Sequence, residues 1–207
     1  MSTPQQVEVS YIVSLYGRTD DLRVCLAMLH RQTHQDFEVI VTDNSTNRHH
    51  VRENRNVVRQ YGDRFKYIHS APKIQVSDCY WSSEYGVKFA RGRWLAFPCE
   101  DVYLPPEWTQ RMLGAAVARN LDLVLCANSV TGPDTCGIDG YEPLKLGTLA
   151  FPGYKPSFLI KRSKFTGWVN KPLVGACSGV DKTTLQYLMR DPKIRWGVCE
   201  KLYYVHN

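Results

Sequence analysis

A chain of 207 residues, 43% hydrophobic and 22% charged, has the make-up of a folded globular protein large enough to bury a substantial core. No apolar run approaches the roughly 20 residues of a spanning helix. The opening MSTPQQVEVS lacks the basic-then-apolar order of a secretion signal, so a cytoplasmic location is expected, with peripheral membrane contact left open. The formal net charge of +6 favours anionic ligands such as a nucleoside diphosphate. Because Lys and Arg are spread along the chain, with no basic helix or aromatic–basic alternation, nucleic acid is not an expected partner.

The segment VSYIVSLY is a run of β-branched and aromatic residues and reads as a buried first strand. Thr19 is placed to cap the next helix, whose first turn carries Asp20 and Asp21 beside the positive end of the helix dipole. Leu22, Cys25, Leu26 and Leu29 follow the i, i+3, i+4, i+7 spacing of a helix lying on a sheet. FEVIVTDNS is a second strand, stopped by the turn-forming Asp43-Asn44-Ser45. A polar helix is predicted from Arg48 to Tyr61, and FKYIHS as a third strand.

Val76, Cys79, Tyr80, Ser83, Val87 and Ala90 form a helical stripe, with Gly92 as its expected C-cap. RWLAF is the fourth strand and runs into Pro98-Cys99-Glu100-Asp101. Pro105-Pro106 starts a helix carrying Trp108, Met112 and Ala116, and the strand DLVLCA follows. From Ser129 to Tyr154 the chain is rich in Gly, Pro and Asp and reads as a loop, a candidate lid or acceptor surface. PSFLIKRSKF gives a short strand and a turn, Asp181 to Arg190 a helix, and WGVCEKLYYVHN a final strand pair.

Seven cysteines, at positions 25, 79, 99, 126, 136, 177 and 199, are widely spaced and include no C-x-x-C, which argues against a zinc ribbon or a thioredoxin-type site. Several lie inside apolar runs and are expected as buried, reduced thiols. Alternating strands and helices predict an α/β fold with a mainly parallel central sheet flanked by helices. In such a sheet, ligands bind beyond the carboxyl ends of the strands. Those ends carry Tyr16-Gly17-Arg18, Asp43-Asn44-Ser45 and Glu100-Asp101.

The opening VSYIVSLYGRTDDLRVCLAMLHRQTHQDFEVIVTDNSTN resembles that of the family 2 glycosyltransferases, inverting enzymes of the GT-A fold, with Gln32-Thr33, Phe37 to Val41 and Asp43 to Thr46 matching closely. ARGRWLAFPCEDVYLPPEW is similar to the family's region around its Asp-x-Asp motif, and SGVDKTTLQYLMRDPKIRWGVCEKLYYVH to its Glu-Asp, leucine-rich helix and terminal histidine. The resemblance implies a single GT-A-like domain over residues 1–207, with a donor half to about residue 105 and an acceptor half after it. It also leaves room for a longer polypeptide.

By this resemblance Ser14, Leu15 and Tyr16 line the nucleobase pocket, Arg18 matches an arginine common in the family, and Asp43 accepts a hydrogen bond from the uracil ring. Independently of it, an aromatic ring and a carboxylate at neighbouring strand ends are suited to reading a base edge. Core packing for Tyr16 and a local Asx-turn for Asp43 are the competing readings.

Glu100 and Asp101 stand where the family binds Mn2+ or Mg2+, but Pro98 replaces its first acid. Two acids before a Pro-started helix also complement its dipole. His206 matches a histidine that helps to hold the cation, and Asp181 the base that deprotonates the acceptor; Asp181 also suits a helix N-cap, and Val180 replaces the family's Glu. Glu84 stands where the family often has Asn facing the sugar.

The expected function is metal-dependent transfer of a sugar from a nucleotide-sugar, a UDP-sugar in the first instance, to a hydroxyl of a glycan, lipid or small-molecule acceptor, with inversion. The alternative is a non-catalytic nucleotide-sugar-binding module, motivated by Pro98 and Val180. A nucleotidyltransferase is disfavoured, since no Gly-rich phosphate loop follows the first strand.

Overall fold

The computed structural model describes residues 6–69, 79–98, 100–131, 157–168 and 180–206. The first seven elements are β1 (Val9–Leu15), α1 (Thr19–His30), β2 (Phe37–Asp43), α2 (Arg48–Arg59), β3 (Phe65–His69), α3 (Cys79–Val87) and β4 (Trp94–Ala96). They are followed by β5 (Val102–Tyr103), α4 (Trp108–Ala118), β6 (Leu123–Thr131), β7 (Phe158–Lys161), α5 (Val180–Arg190) and β8 (Trp196–His206). One sheet of eight strands runs in the order β3-β2-β1-β4-β7-β6-β8-β5.

Strands β1 and β2 are buried along their whole length, which requires cover on both faces of the sheet. Side chains alternate between those faces. Val9, Tyr11, Val13 and Leu15 join Phe37, Val39 and Val41 in a core closed by the apolar stripes of α1, α2 and α4, including Leu22, Leu26, Val57, Trp108 and Met112. Ile12 and Ile40 point to the opposite side and pack with Tyr80, Trp168, Leu185 and Leu188. Gly86 lets α3 lie close on this face, where an added Cβ would stand 2.7 Å from Ile12 Cγ2 and 2.8 Å from Thr42 Cγ2.

Several sequence expectations change in detail. Thr19 is the first residue of α1 rather than its cap; Arg18 is at the N-cap, and the Thr19 hydroxyl donates to Asn54 Oδ1 at 2.7 Å. Gly92 is not a helix C-cap, since α3 ends at Val87. It is needed because its backbone crosses β1 so closely that a Cβ would lie 2.4 Å from Ser10 N.

The expected final strand pair is the single strand β8, which carries a register irregularity against β6 near Cys126 and Asn128. β6 continues through Thr131, into the start of the expected loop. Residues 132–156, and with them most of that loop, lie outside the described residues, as do Val76 and Cys136. Cys25, Cys126 and Cys199 are buried. β7 and β5 run antiparallel to their neighbours, whereas β1, β2, β3, β4, β6 and β8 share one direction.

Two buried carboxylates brace the sheet. Glu38 is met by Lys66 at 2.8 Å, the Arg91 guanidinium at 3.0 Å, and the Ser10 hydroxyl at 2.8 Å. Asp122 is met by Lys161 at 2.6 Å and by Arg195 Nε at 3.1 Å. Burial alone would raise both pKa values, but these donors outweigh it and hold each acid below its usual range. Because the folded-state values are depressed, the stabilisation is complete above the unfolded carboxylate pKa of about 4 and is lost as pH falls below it. Thermal unfolding should therefore show Tm falling between about pH 5 and pH 3, with Asp122→Asn flattening that limb.

Candidate functional site

The site begins with register. Leu15 pairs with Asp43, and Asp43 with His69, so β1, β2 and β3 end abreast at one edge of the sheet. After Leu15 the chain turns through Gly17, whose φ of +70° favours glycine. Gly17 N donates to Ser45 Oγ at 2.8 Å. His50 Nδ1 donates to the Gly17 carbonyl at 2.7 Å, which fixes the ring proton on Nδ1. His69 Nε2 donates to the Ser45 carbonyl at 3.0 Å. Three strand exits are thereby tied into one rim.

Asp43 lies beneath this rim and is fully buried. Its carboxylate accepts from Ser45 N at 2.8 Å, Asn54 Nδ2 at 3.0 Å and the Tyr67 hydroxyl at 2.7 Å. The first of these contacts is the Asx-turn. The other two join α2 and β3 to the same acid. Burial and the neighbouring carboxylate push the Tyr67 pKa far upward, so its proton stays in place as a donor.

At the exit of β4, the Arg18 guanidinium reaches Asp101 Oδ2 at 2.8 Å and Asp21 Oδ2 at 2.7 Å. Partial burial works against its charge, but Asp101, Asp21 and Glu100 more than offset this and raise its pKa. Turns after β1 and β4 therefore meet through an ion pair. His206 pairs in register with Val102 on one side and Thr131 on the other, so its backbone is held in the sheet one register position from Asp101.

Among the described residues, no group of three or more His, Cys, Asp or Glu side chains is arranged so that it could hold a metal ion. The side chains of Asp181 and His206 lie outside those residues. The carboxylates of Glu100 and Asp101 nonetheless fit a hard divalent cation of the kind that uses one or two protein carboxylates and completes its shell with phosphate and water. A cation bound there would share Asp101 with Arg18.

Of the three expected nucleobase-pocket residues at the end of β1, Tyr16, just past the strand, is 45% exposed while Ser14 and Leu15 are buried, the latter in the core. Asp43, Arg18, Glu100 and Asp101 belong to the joined turns. Ser45 was expected in the turn after β2, whereas His50, Asn54, Tyr67 and His69 were not singled out as site residues from sequence. His50 is half-buried and bonded to the β1 turn. Glu84 faces the backbone of Gly167, where an added Cβ would meet its carboxylate at 3.4 Å.

Glycosyl transferase family 2 matches residues 10–138 of the chain. The putative glycosyltransferase EpsH of Bacillus subtilis (strain 168) is 28% identical over 138 residues, covering 65% of this chain and 37% of that protein. S. aureus TarS 1–349 in complex with UDP-GlcNAc superposes with a TM-score of 0.72 at 18% identity, covering 96% of this chain and 58% of that one. Mannosyltransferase PcManGT from Pyrobaculum calidifontis, in complex with GDP-Man and Mn2+, gives 0.60 at 14% identity, covering 98% and 57%. The chain thus spans little more than a third of the curated relative and less than two thirds of these solved structures.

The rim geometry predicts that Asp43→Asn leaves one of the three donors without a good acceptor, at a cost of about 2 kcal/mol. For a chain of this size, thermal denaturation should record a Tm lower by about 4–8 °C.

Proposed function

The chain belongs to glycosyl transferase family 2 and has the GT-A fold; from that premise we propose that it transfers a sugar from a UDP-sugar to an acceptor hydroxyl with inversion at the anomeric carbon. The observation that carries the reading is the junction of three strand-exit turns at one sheet edge, secured by the Gly17–Ser45 and Arg18–Asp101 contacts. Support for the donor class comes from TarS, solved with UDP-GlcNAc and with UDP. PcManGT, solved with GDP-Man and Mn2+, supports a divalent cation.

In this reading residues up to about 105 bind the donor and those after it serve the acceptor. Tyr16, exposed on the rim, stacks on the base. Asp43, with Ser14 and Leu15 behind the same turn, accepts from the uracil ring and sets the shape of the base pocket. Arg18 directs its positive charge at the departing diphosphate. Glu100, Asp101 and His206 would hold a Mn2+ or Mg2+ ion, which when bound would add positive charge beside that leaving group.

The acceptor oxygen attacks the anomeric carbon from the face opposite the diphosphate. As the new C–O bond forms, the bond to the diphosphate oxygen breaks and the hydroxyl proton passes to the Asp181 carboxylate. Much of the acceleration comes from alignment, to which a positioned base adds roughly 10²- to 10⁴-fold. The acceptor is a glycan, lipid or small molecule. Among the described residues no helix is long and apolar enough to cross a membrane.

A second reading, a binding module without transfer, is favoured by Pro98 at an acid position and by the engagement of Asp101 with Arg18. Calorimetry with UDP, with and without Mn2+, paired with a metal-dependent hydrolysis screen over nucleotide sugars, separates the two. Transfer predicts UDP binding strengthened by Mn2+ together with donor turnover. Tight binding indifferent to metal, without turnover, would establish the module instead. Asp181→Asn should lower transfer at least 100-fold while sparing UDP affinity; full activity in that variant would remove its role as base.

A further inference from the structure

The basic residues are not evenly spread in space. Arg48, Arg52 and Arg55 recur at i, i+4 and i+7 on one face of α2, and together with Ser45, Thr46 and His69 they line a cavity of about 490 Å3. Seven residues of helix place these guanidinium groups along about 10 Å. None of the three makes an ion pair among the described residues. Glu53, the acid within this helix, is paired instead with His49 at 3.4 Å. Arg55 lies over the Tyr67 ring at 5.4 Å, which fixes one wall.

Three like charges on one face repel one another, and α2 has no acid in its first turn to balance its dipole. A bound anion relieves both costs. The planar guanidinium fork suits the oxygens of a phosphate ester, and the hydroxyls of Ser45 and Thr46 add polar contacts. The cavity opens at the ends of β2 and β3, on the sheet-edge side of the rim. Glu100 and Asp101 follow β4, across β1 from it, so a donor diphosphate held beside those acids is not the anion that this cavity receives.

We propose that the α2 cavity is a second anion site, which binds a phosphate ester distinct from the donor diphosphate. That distinction rests on the donor reading above; the anion site itself does not. A phosphorylated soluble glycan or small molecule and a lipid-linked phosphate share this chemistry.

Calorimetry of the full chain with glycerol 3-phosphate, in the presence of saturating UDP, tests the site directly. Vesicles of phosphatidylcholine with and without phosphatidylglycerol test the lipid source. Binding of glycerol 3-phosphate should persist with UDP bound and weaken about ten-fold in Arg52→Ala, with UDP affinity and Tm unchanged. Anionic-vesicle binding lost in Arg48→Ala/Arg52→Ala would support the same site and identify a lipid as the source. Competition between glycerol 3-phosphate and UDP, or indifference of both probes to the arginine variants, would overturn the proposal. A chain that binds glycerol 3-phosphate through these arginines but never binds UDP would instead refute the donor reading and leave the anion site standing.

Discussion

A carboxylate withdrawn from water must be given hydrogen bonds, and at Asp43 those bonds determine the geometry of the whole rim. Its three donors come from the turn after β2, from Asn54 on α2 and from Tyr67 on β3. An unpaired charge at this depth would cost several kcal/mol. The fold therefore holds α2 and the edge strand β3 in a fixed relation to the turn. Ser45, oriented by the same acid, passes that constraint to Gly17 and so to the exit of β1. Sequence presented Asp43 as either a base reader or a local turn-former; the structure shows the turn formed and the same acid bonded to Asn54 and Tyr67 as well.

Much of the architecture was legible because one sheet must satisfy two cores. A run such as VSYIVSL can be buried on both faces only as a central strand, and the Leu22–Leu29 stripe has few other ways to cover it. The turn residues after each strand were equally readable, since Gly, Asp, Asn and Ser mark chain reversal. What escaped was whatever depends on meetings across the chain. Nothing local distinguishes His50 from its neighbour His49, yet one is bonded to a turn 33 residues away and the other pairs with Glu53. Gly92 looked like a cap because caps are common; its requirement is the close crossing of Ser10.

The same limitation hid the charge pattern. Counted along the chain, Lys and Arg look dispersed, but folding sorts them by partner. Arg91, Lys66, Lys161 and Arg195 are committed to two buried acids, and Arg18 to the acids at the β4 exit. The arginines lining the α2 cavity make no such commitment among the described residues. The rim is thus electrically polarised, acidic toward β4 and basic toward β3. Composition reports only the sum, whereas the field at a site depends on which cations have already been neutralised.

The four-residue strand β7 enters the sheet antiparallel between β4 and β6, pairing Leu95 with Ile160 and Leu123 with Ile160. During synthesis, β1 through β4 emerge long before the strand that seals their flank. For more than sixty residues of elongation the three-residue β4 presents an uncovered edge, open to pairing with other chains. The nascent chain thus carries a window of vulnerability, and its length is set by topology rather than by the stability of the finished protein.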